Sequence, residues 1–80
     1  MSHGDATPLV DQVRASRRHP PEVAVAIRKV AGVSQADVAR ELGVNRVTVA
    51  RWELGTRRPR GELLVRYCDL LDELSAAAAS

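Results

Sequence analysis

Residues 34–54 constrain the fold more than any other part of the sequence, because they hold two short helical patterns on either side of one glycine. The first pattern begins with Ser34 and has Asp37 three residues later, a spacing that resembles a helix-capping box. Ala39 stands where two helices would cross at close range, and Gly43 stands where the chain must turn sharply. Since glycine enters left-handed backbone geometry without a steric cost, this spacing predicts a rigid corner between two helices.

A further helix is predicted on the N-terminal side of this corner. Pro21 and Glu22 favour its first turn, and Gly32 is expected to end it. Its apolar side chains recur at i, i+3, i+4 and i+7, the spacing of a stripe that faces a core, so we expect the stripe to be buried. Its members are Val23, Ala26, Ile27 and Val30.

The second helix of the corner is predicted to begin after Asn45, a strong N-cap, and to run to about Leu54. Gly55 is expected to end it, and a basic loop at residues 56–60 follows. The inner faces of the two corner helices are expected to supply much of the core. The side chains concerned are Val38, Ala39, Leu42, Val49 and Trp52.

The last helix is predicted over about residues 62–75, and its apolar positions cover an arc of about 160°, wider than one packing stripe needs. One edge of this arc can close the core while the other faces a second subunit. Alternatively, the whole helix can be sunk in its own domain. Cys68 within the arc is expected to be a small core hydrophobe. The apolar positions are Leu63, Leu64, Tyr67, Cys68, Leu70, Leu71 and Leu74.

The two ends of the chain lie outside this pattern. Residues 1–19 are expected to be a tail or a short extra helix, since Thr7 and Pro8 form a helix-start signal. Residues 76–80 are expected to be a frayed helix end or a tail. The sequence therefore predicts an all-α fold, a compact bundle of about five short helices whose domain spans residues 20–75.

Composition narrows the chemistry that this chain can support. With one cysteine no internal disulfide is possible, and His3, His19 and Cys68 fit no zinc-ligand spacing. No nucleophile–base pair and no phosphate-cradling glycine loop is evident, so neither an enzyme nor a cofactor is predicted. No apolar run approaches the roughly 20 residues that span a bilayer, and the N-terminus lacks a signal-peptide pattern, so a cytoplasmic protein is expected.

Charge is unevenly distributed along the chain, although the net charge is only +2. Residues 14–60 hold eleven Arg or Lys against four Asp or Glu, a net +7, whereas residues 61–80 carry −3 and residues 1–13 carry −2. A basic body between acidic ends favours a polyanion partner such as nucleic acid. A solvated surface with uneven charge is the alternative interpretation.

The two sides of the helix after Asn45 differ in composition. At 100° per residue, Val49 and Trp52 point towards the core, while the opposite arc carries arginines and small or apolar residues. An arginine can contact the O6 and N7 atoms of guanine, and a valine can contact a thymine methyl group. A small residue such as Ala50 lets a helix lie deep in a groove. The candidate base-contacting residues are Arg46, Val47, Ala50 and Arg51.

Residues 35–54 resemble the helix-turn-helix of the phage repressor and Cro family, also called Xre-like regulators. The resemblance rests on Gln35 opening the first helix, Ala39 at the crossing and the Leu42-Gly43-Val44 turn. It continues through the triplet Arg51-Trp52-Glu53 and a basic loop that contains Pro59. It covers residues 20–74 and implies a lambda-repressor-like DNA-binding domain of prokaryotic or phage origin.

The resemblance also implies roles for individual side chains. Gln35 and the backbone amides at the start of its helix would hold a DNA phosphate. The loop arginines would follow the sugar-phosphate backbone, although a solvated loop is the alternative. Val47 stands where the family commonly has a polar residue, and Glu53 is expected to pair with a nearby arginine. The candidate phosphate-contacting residues are Gln35, Asn45, Thr48, Arg57, Arg58 and Arg60.

Two functions of different classes follow from these features. The first is a sequence-specific regulator of transcription that binds double-stranded DNA, with repression as the default. A homodimer on a palindromic operator is expected, because a single module covers only about 600–1,000 Å² of interface. The second is an antitoxin or recombination accessory factor whose last helix binds a partner protein. Residues before Pro20 lie outside the family resemblance, and an arm against DNA, a packing helix and a loose tail are the alternatives for them.

Overall fold

The computed structural model describes residues 18–80, which form four helices and no strand in that range. The helices are α1 (Pro21–Val30), α2 (Gln35–Leu42), α3 (Arg46–Leu54) and α4 (Gly61–Ala79). The all-α prediction is confirmed, with four described helices where about five were expected. The short extra helix that is one alternative for residues 1–19 falls outside the described residues, so the assignment of the N-terminal segment stays a prediction.

The corner between α2 and α3 is built by local hydrogen bonds. Ser34 Oγ accepts from the Asp37 amide, and the Asp37 carboxylate accepts from the Ser34 amide, both at 3.0 Å, which completes a capping box. Gly43 follows with a φ of 71°, a left-handed conformation. The Asn45 side chain then accepts from the Val47 amide at 2.8 Å. Each of these signals was predicted and is confirmed, because each is satisfied within a few residues of chain.

The core lies where the four helices meet. Val49 of α3 is completely buried, and Trp52 one turn later is 5% exposed. The Trp52 ring packs against that of Tyr67 in α4, with centroids 4.7 Å apart and planes tilted by 46°. Full burial of an apolar side chain such as that of Val49 stabilises the fold by about 1.5–3 kcal/mol. The remaining buried core residues are Ala24, Val38, Ala39, Leu42, Cys68 and Leu71.

The predicted inner face of α1 is wrong at three of its four positions, since only Ile27 packs against the core. Val23 is 40% exposed and Val30 is 75% exposed, and Ala26 is exposed as well. The helix turns Ala24 inward instead, with Ile27 half-buried beside it. The physical reason is Arg28, which lies on the inward side because it pairs with a carboxylate of α3. A pattern that counts only apolar positions cannot predict that a charged residue faces the core.

The last helix is longer than predicted, since it runs to Ala79 rather than ending near Ser75. Alanine has the strongest intrinsic helix propensity, which explains why the terminal alanines continue the helix. Of its wide apolar arc, Tyr67, Cys68 and Leu71 are buried. The other four positions are half-buried, so the arc is neither fully sunk in the domain nor fully open. Those four are Leu63, Leu64, Leu70 and Leu74.

Candidate nucleic-acid interface

The side of α3 opposite the core is open to solvent. Arg46 and Arg51 are exposed, Val47 is 41% exposed and Ala50 is half-buried. The predicted division of α3 into a buried and an exposed side is therefore confirmed. In addition, Leu54 is 77% exposed, and it lies seven residues after Val47, on nearly the same side of the helix. The exposed side thus offers two guanidinium groups around an apolar strip.

A buried ion pair joins α1 to α3 beneath this surface. Arg28 Nε and Nη2 donate to the two carboxylate oxygens of Glu53 at 2.6 and 3.0 Å. The side chains are only 12% and 6% exposed, and Arg28 Nη1 also donates to the Val33 carbonyl at 2.9 Å. The expectation that Glu53 pairs with an arginine is confirmed. The sequence did not reveal which arginine forms this pair. The available signal was the position of Arg28 directly after Ile27, a residue that was expected to face the core.

The charge state of Glu53 is set by opposing effects. Burial raises the pKa of Glu53, but hydrogen bonds from Arg28 and Gln35 and the positive charge of Arg28 outweigh burial and hold this pKa below its ordinary value. The hydrogen bond to Glu53 likewise raises the pKa of Arg28. Both groups are therefore charged at neutral pH, and neither has the perturbation that would suit a proton-transfer catalyst.

Gln35 extends this network to the surface of α3. Its Nε2 donates to Glu53 Oε1, and its Oε1 accepts from Arg46 Nη1, each at 2.9 Å. An unbroken chain of polar contacts therefore runs from Arg28 in α1 to the exposed Arg46. The amide nitrogen of Gln35 carries two hydrogens and uses one. The second has no acceptor among residues 18–80, so Gln35 keeps one donor for an external group.

Asn45 and Thr48 lie at the start of α3, where the structure gives Asn45 a capping role. Its side-chain oxygen is occupied by the Val47 amide, and its backbone carbonyl accepts from the Thr48 amide at 2.9 Å. Asn45 is exposed and Thr48 is half-buried. The side-chain amide group of Asn45 stays available as a donor, because the cap uses only the oxygen.

The loop after α3 is basic and exposed. Gly55 ends the helix with a φ of 79°, and the hydroxyl of Thr56 donates back to the Arg51 carbonyl at 3.3 Å. The three candidate phosphate-contacting arginines of the loop are all exposed, and within residues 18–80 none of them pairs with a carboxylate. They are Arg57, Arg58 and Arg60.

Arg66 of α4 holds the corner from behind, a role that sequence reasoning did not assign. Its guanidinium donates to the carbonyls of Glu41 at 3.2 Å and Leu42 at 3.4 Å. Carbonyls at a helix C-terminus have no partner within the helix, so these bonds satisfy groups that would otherwise face only water. Arg66 thereby fixes α4 to the end of α2, directly before the Gly43 turn.

The described residues also limit other classes of site. Over residues 18–80, no cluster of His, Cys, Asp or Glu has the arrangement of a metal site. In the same range, no helix combines the length and apolarity that crossing a membrane requires. Within residues 18–80, the candidate functional site is therefore the exposed side of α3, together with the hydrogen-bond network beneath it and the basic loop that follows.

Comparison with known proteins identifies this arrangement. A helix-turn-helix family model matches residues 26–77, well over half of the chain and the whole of the α2–α3 corner. No curated protein and no solved structure matches the chain significantly. The matched span contains every candidate base-contacting and phosphate-contacting residue, whose individual roles stay predictions. The chain belongs to the helix-turn-helix family of the phage repressor and Cro type, a family of DNA-binding regulatory domains.

Proposed function

We propose that this protein is a sequence-specific transcription regulator that lays α3 in the major groove of double-stranded DNA, with repression as its default action. The observation that carries the proposal is the exposed side of α3. It presents Arg46 and Arg51 around an apolar strip, and neither arginine pairs with a carboxylate in the part of the chain that the structure describes. A helix side that only met solvent would carry no such imbalance of charge.

The proposed contacts with bases follow from the chemistry of each side chain. Arg46 and Arg51 donate to the O6 and N7 atoms of guanines, each pair contributing about 1–3 kcal/mol of discrimination. Val47 contacts a thymine methyl group, and the small side chain of Ala50 lets α3 approach the base edges. The bond from Arg46 to Gln35 supports this assignment, because a guanidinium held in place loses less conformational freedom on binding.

The proposed contacts with phosphates surround these bases. The unused amide hydrogen of Gln35 and the first backbone amides of α2 point towards one phosphate, where the helix dipole also favours negative charge. Asn45 and Thr48 contribute at the start of α3. The loop arginines contact the backbone beyond its end. These are Arg57, Arg58 and Arg60.

We further propose that the protein binds a palindromic operator as a homodimer. One domain alone supplies only a small interface, and two copies on half-sites about one helical turn apart double it. Exposed apolar side chains on α1 support self-association, since Val23 and Val30 lie open to solvent. A shallow groove between α1 and the end of α4 continues this apolar surface, with Ala26, Ile27 and Ala78 among its lining residues.

The α4 side of this groove is the observation behind a second candidate function, in which the last helix binds a partner protein. A partner protein could cover it in place of a second copy, as an antitoxin or a recombination accessory factor would require. Both functions require the protein to bind DNA, so we propose that it is located on the nucleoid in the cytoplasm. The concentration dependence of the molecular mass distinguishes the two: a monomer–dimer equilibrium without any added protein supports the homodimer.

Selection from random duplexes tests the proposed function. The purified protein is used to enrich duplexes over several rounds, and the recovered duplexes are sequenced. We expect a guanine-containing motif repeated as an inverted pair with centres about 10–10.5 base pairs apart, or a multiple of that spacing. Failure to enrich any motif, with binding equal on all duplexes, would contradict sequence-specific recognition.

A further inference from the structure

The segment before α1 is anchored to α4 and lies beside the end of α3. His19 Nε2 donates to the Asp72 carboxylate of α4 at 3.0 Å. Pro21, the first residue of α1, lies close to Gly55 at the end of α3, since a methyl group added to Gly55 would come within 3.7 Å of Pro21 Cγ. The carbonyl of Pro20 accepts from the Val23 and Ala24 amides at 3.0 Å and so joins the segment to α1. Arg18, directly before these anchors, is therefore held beside the loop that follows α3.

Arg18 and this loop together line an open cleft of about 610 Å³. Four arginines converge on the cleft, and no acidic residue lines it. None of the four guanidinium groups forms an ion pair within residues 18–80. Four like charges at one place repel each other, so a bound polyanion would stabilise the arrangement. The four are Arg18, Arg57, Arg58 and Arg60.

We propose that Arg18 is a DNA phosphate-contacting residue that extends the backbone contacts of the loop. Gly55, the residue that ends α3, lines the cleft, so a duplex bound to α3 brings its sugar-phosphate backbone close to the cleft. A guanidinium binds phosphate oxygens through two parallel hydrogen bonds. Arg18 lies outside the residues matched by the family model, and this inference rests on the proposed function.

The salt dependence of affinity tests the inference on the full chain. Each phosphate contact contributes a slope of about −0.9 to the logarithm of the binding constant against the logarithm of salt concentration. We expect Arg18→Ala to reduce the slope by about one unit on both the selected operator and a scrambled duplex. Between 50 and 200 mM salt, the affinity deficit of Arg18→Ala should shrink by about three- to fourfold. Arg18→Lys, which keeps the charge, should retain the wild-type slope.

Arg40→Ala is the matched control, because it also removes one exposed arginine but from a position paired with Asp37 on α2. It should leave the slope unchanged. Equal slopes for wild type and Arg18→Ala would overturn the inference, provided that wild type binds DNA with a steep salt dependence. If wild type shows no salt-dependent binding of any duplex, the proposed function itself fails. Thermal unfolding of each variant checks that the fold is retained. We expect no loss of stability in Arg18→Ala, because Arg18 is exposed.

A small phosphorylated molecule is the other possible source of the same chemistry. Inorganic triphosphate is therefore titrated into the DNA-free protein and into Arg18→Ala by calorimetry. We expect at most weak binding, reversed by moderate salt. Tight triphosphate binding that depends on Arg18, together with an unchanged slope on DNA, would assign the cleft to a small ligand and refute the proposed role.

Discussion

Arg28→Met removes one member of the buried ion pair and leaves the other without its main partner. The carboxylate of Glu53 is 6% exposed and would keep only the hydrogen bond from Gln35. Breaking a buried pair in this way costs about 3–5 kcal/mol, a large part of the roughly 5–15 kcal/mol that stabilises a domain. For a domain of this size the melting temperature should therefore fall by at least about 12 °C. Urea unfolding gives the same free energy independently.

The pH dependence of this loss gives a second, sharper readout. In the wild type, the pKa of Glu53 lies below its ordinary value of 4.5, so its stabilising contribution is present above pH 4.5 and is lost as pH falls through the folded pKa. In Arg28→Met, the hydrogen bond from Gln35 remains but the larger offset from Arg28 is lost, so burial raises the pKa of Glu53. The variant then gains stability from protonation of Glu53, so the difference between the two proteins should shrink as pH falls from 7 towards 4.

The double variant Arg28→Met/Glu53→Leu is the control for this experiment. Replacing a buried ion pair with apolar residues of similar volume is often neutral or stabilising, so most of the lost stability should return. A loss below about 1 kcal/mol in Arg28→Met, or a difference that does not depend on pH, would refute the assignment of a dry, mutually dependent pair.

The exposed arginines, the Gly43 turn and the buried Tyr67 ring can each be tested by a separate substitution or titration. Arg51→Ala should cost about 1–3 kcal/mol on the selected operator only, whereas Arg58→Ala should weaken binding to all duplexes and reduce the salt slope by about one; identical behaviour of the two variants on operator and scrambled DNA would contradict the assigned roles. Gly43→Ala should lower the free energy of unfolding by about 1–2 kcal/mol, because the φ of 71° is unfavourable for a residue with a Cβ atom. Steric overlap does not contribute, since no atom lies within 4 Å of the added methyl group. An unchanged stability in chemical unfolding would show that the turn tolerates side chains. Tyr67, the single tyrosine, should ionise near pH 12 because burial raises its pKa to about 12, and an absorbance titration with a midpoint near 10 in the folded protein would show the ring to be solvated.

The corner between α2 and α3 could be predicted from the sequence because its signals are local. The capping box at Ser34, the left-handed Gly43 and the cap at Asn45 are each completed within a few residues. The burial of Trp52 was also predictable, since an amphipathic helix has only one side that can face the core.

The orientation of α1 could not be predicted because it depends on a partner 25 residues away. The pair between Arg28 and Glu53 draws a charged residue inward, and this turns Val23 and Val30 towards solvent. No count of apolar positions contains that information. The site shows the same limit: its arginines could be named from the helix pattern, whereas the chain of contacts that holds Arg46 required three helices to be in place.

The central claim is that the exposed side of α3 reads guanines in the major groove, and methylation interference on the selected operator tests it most directly. Dimethyl sulfate methylates guanine N7 in the major groove and adenine N3 in the minor groove, so the two modifications report different sides of the duplex. N7 methylation of specific guanines in each half-site should block binding of the wild type. Arg51→Ala should become indifferent to one of these guanines. Interference from adenine N3 alone, or the same guanine pattern for wild type and variant, would contradict the claim.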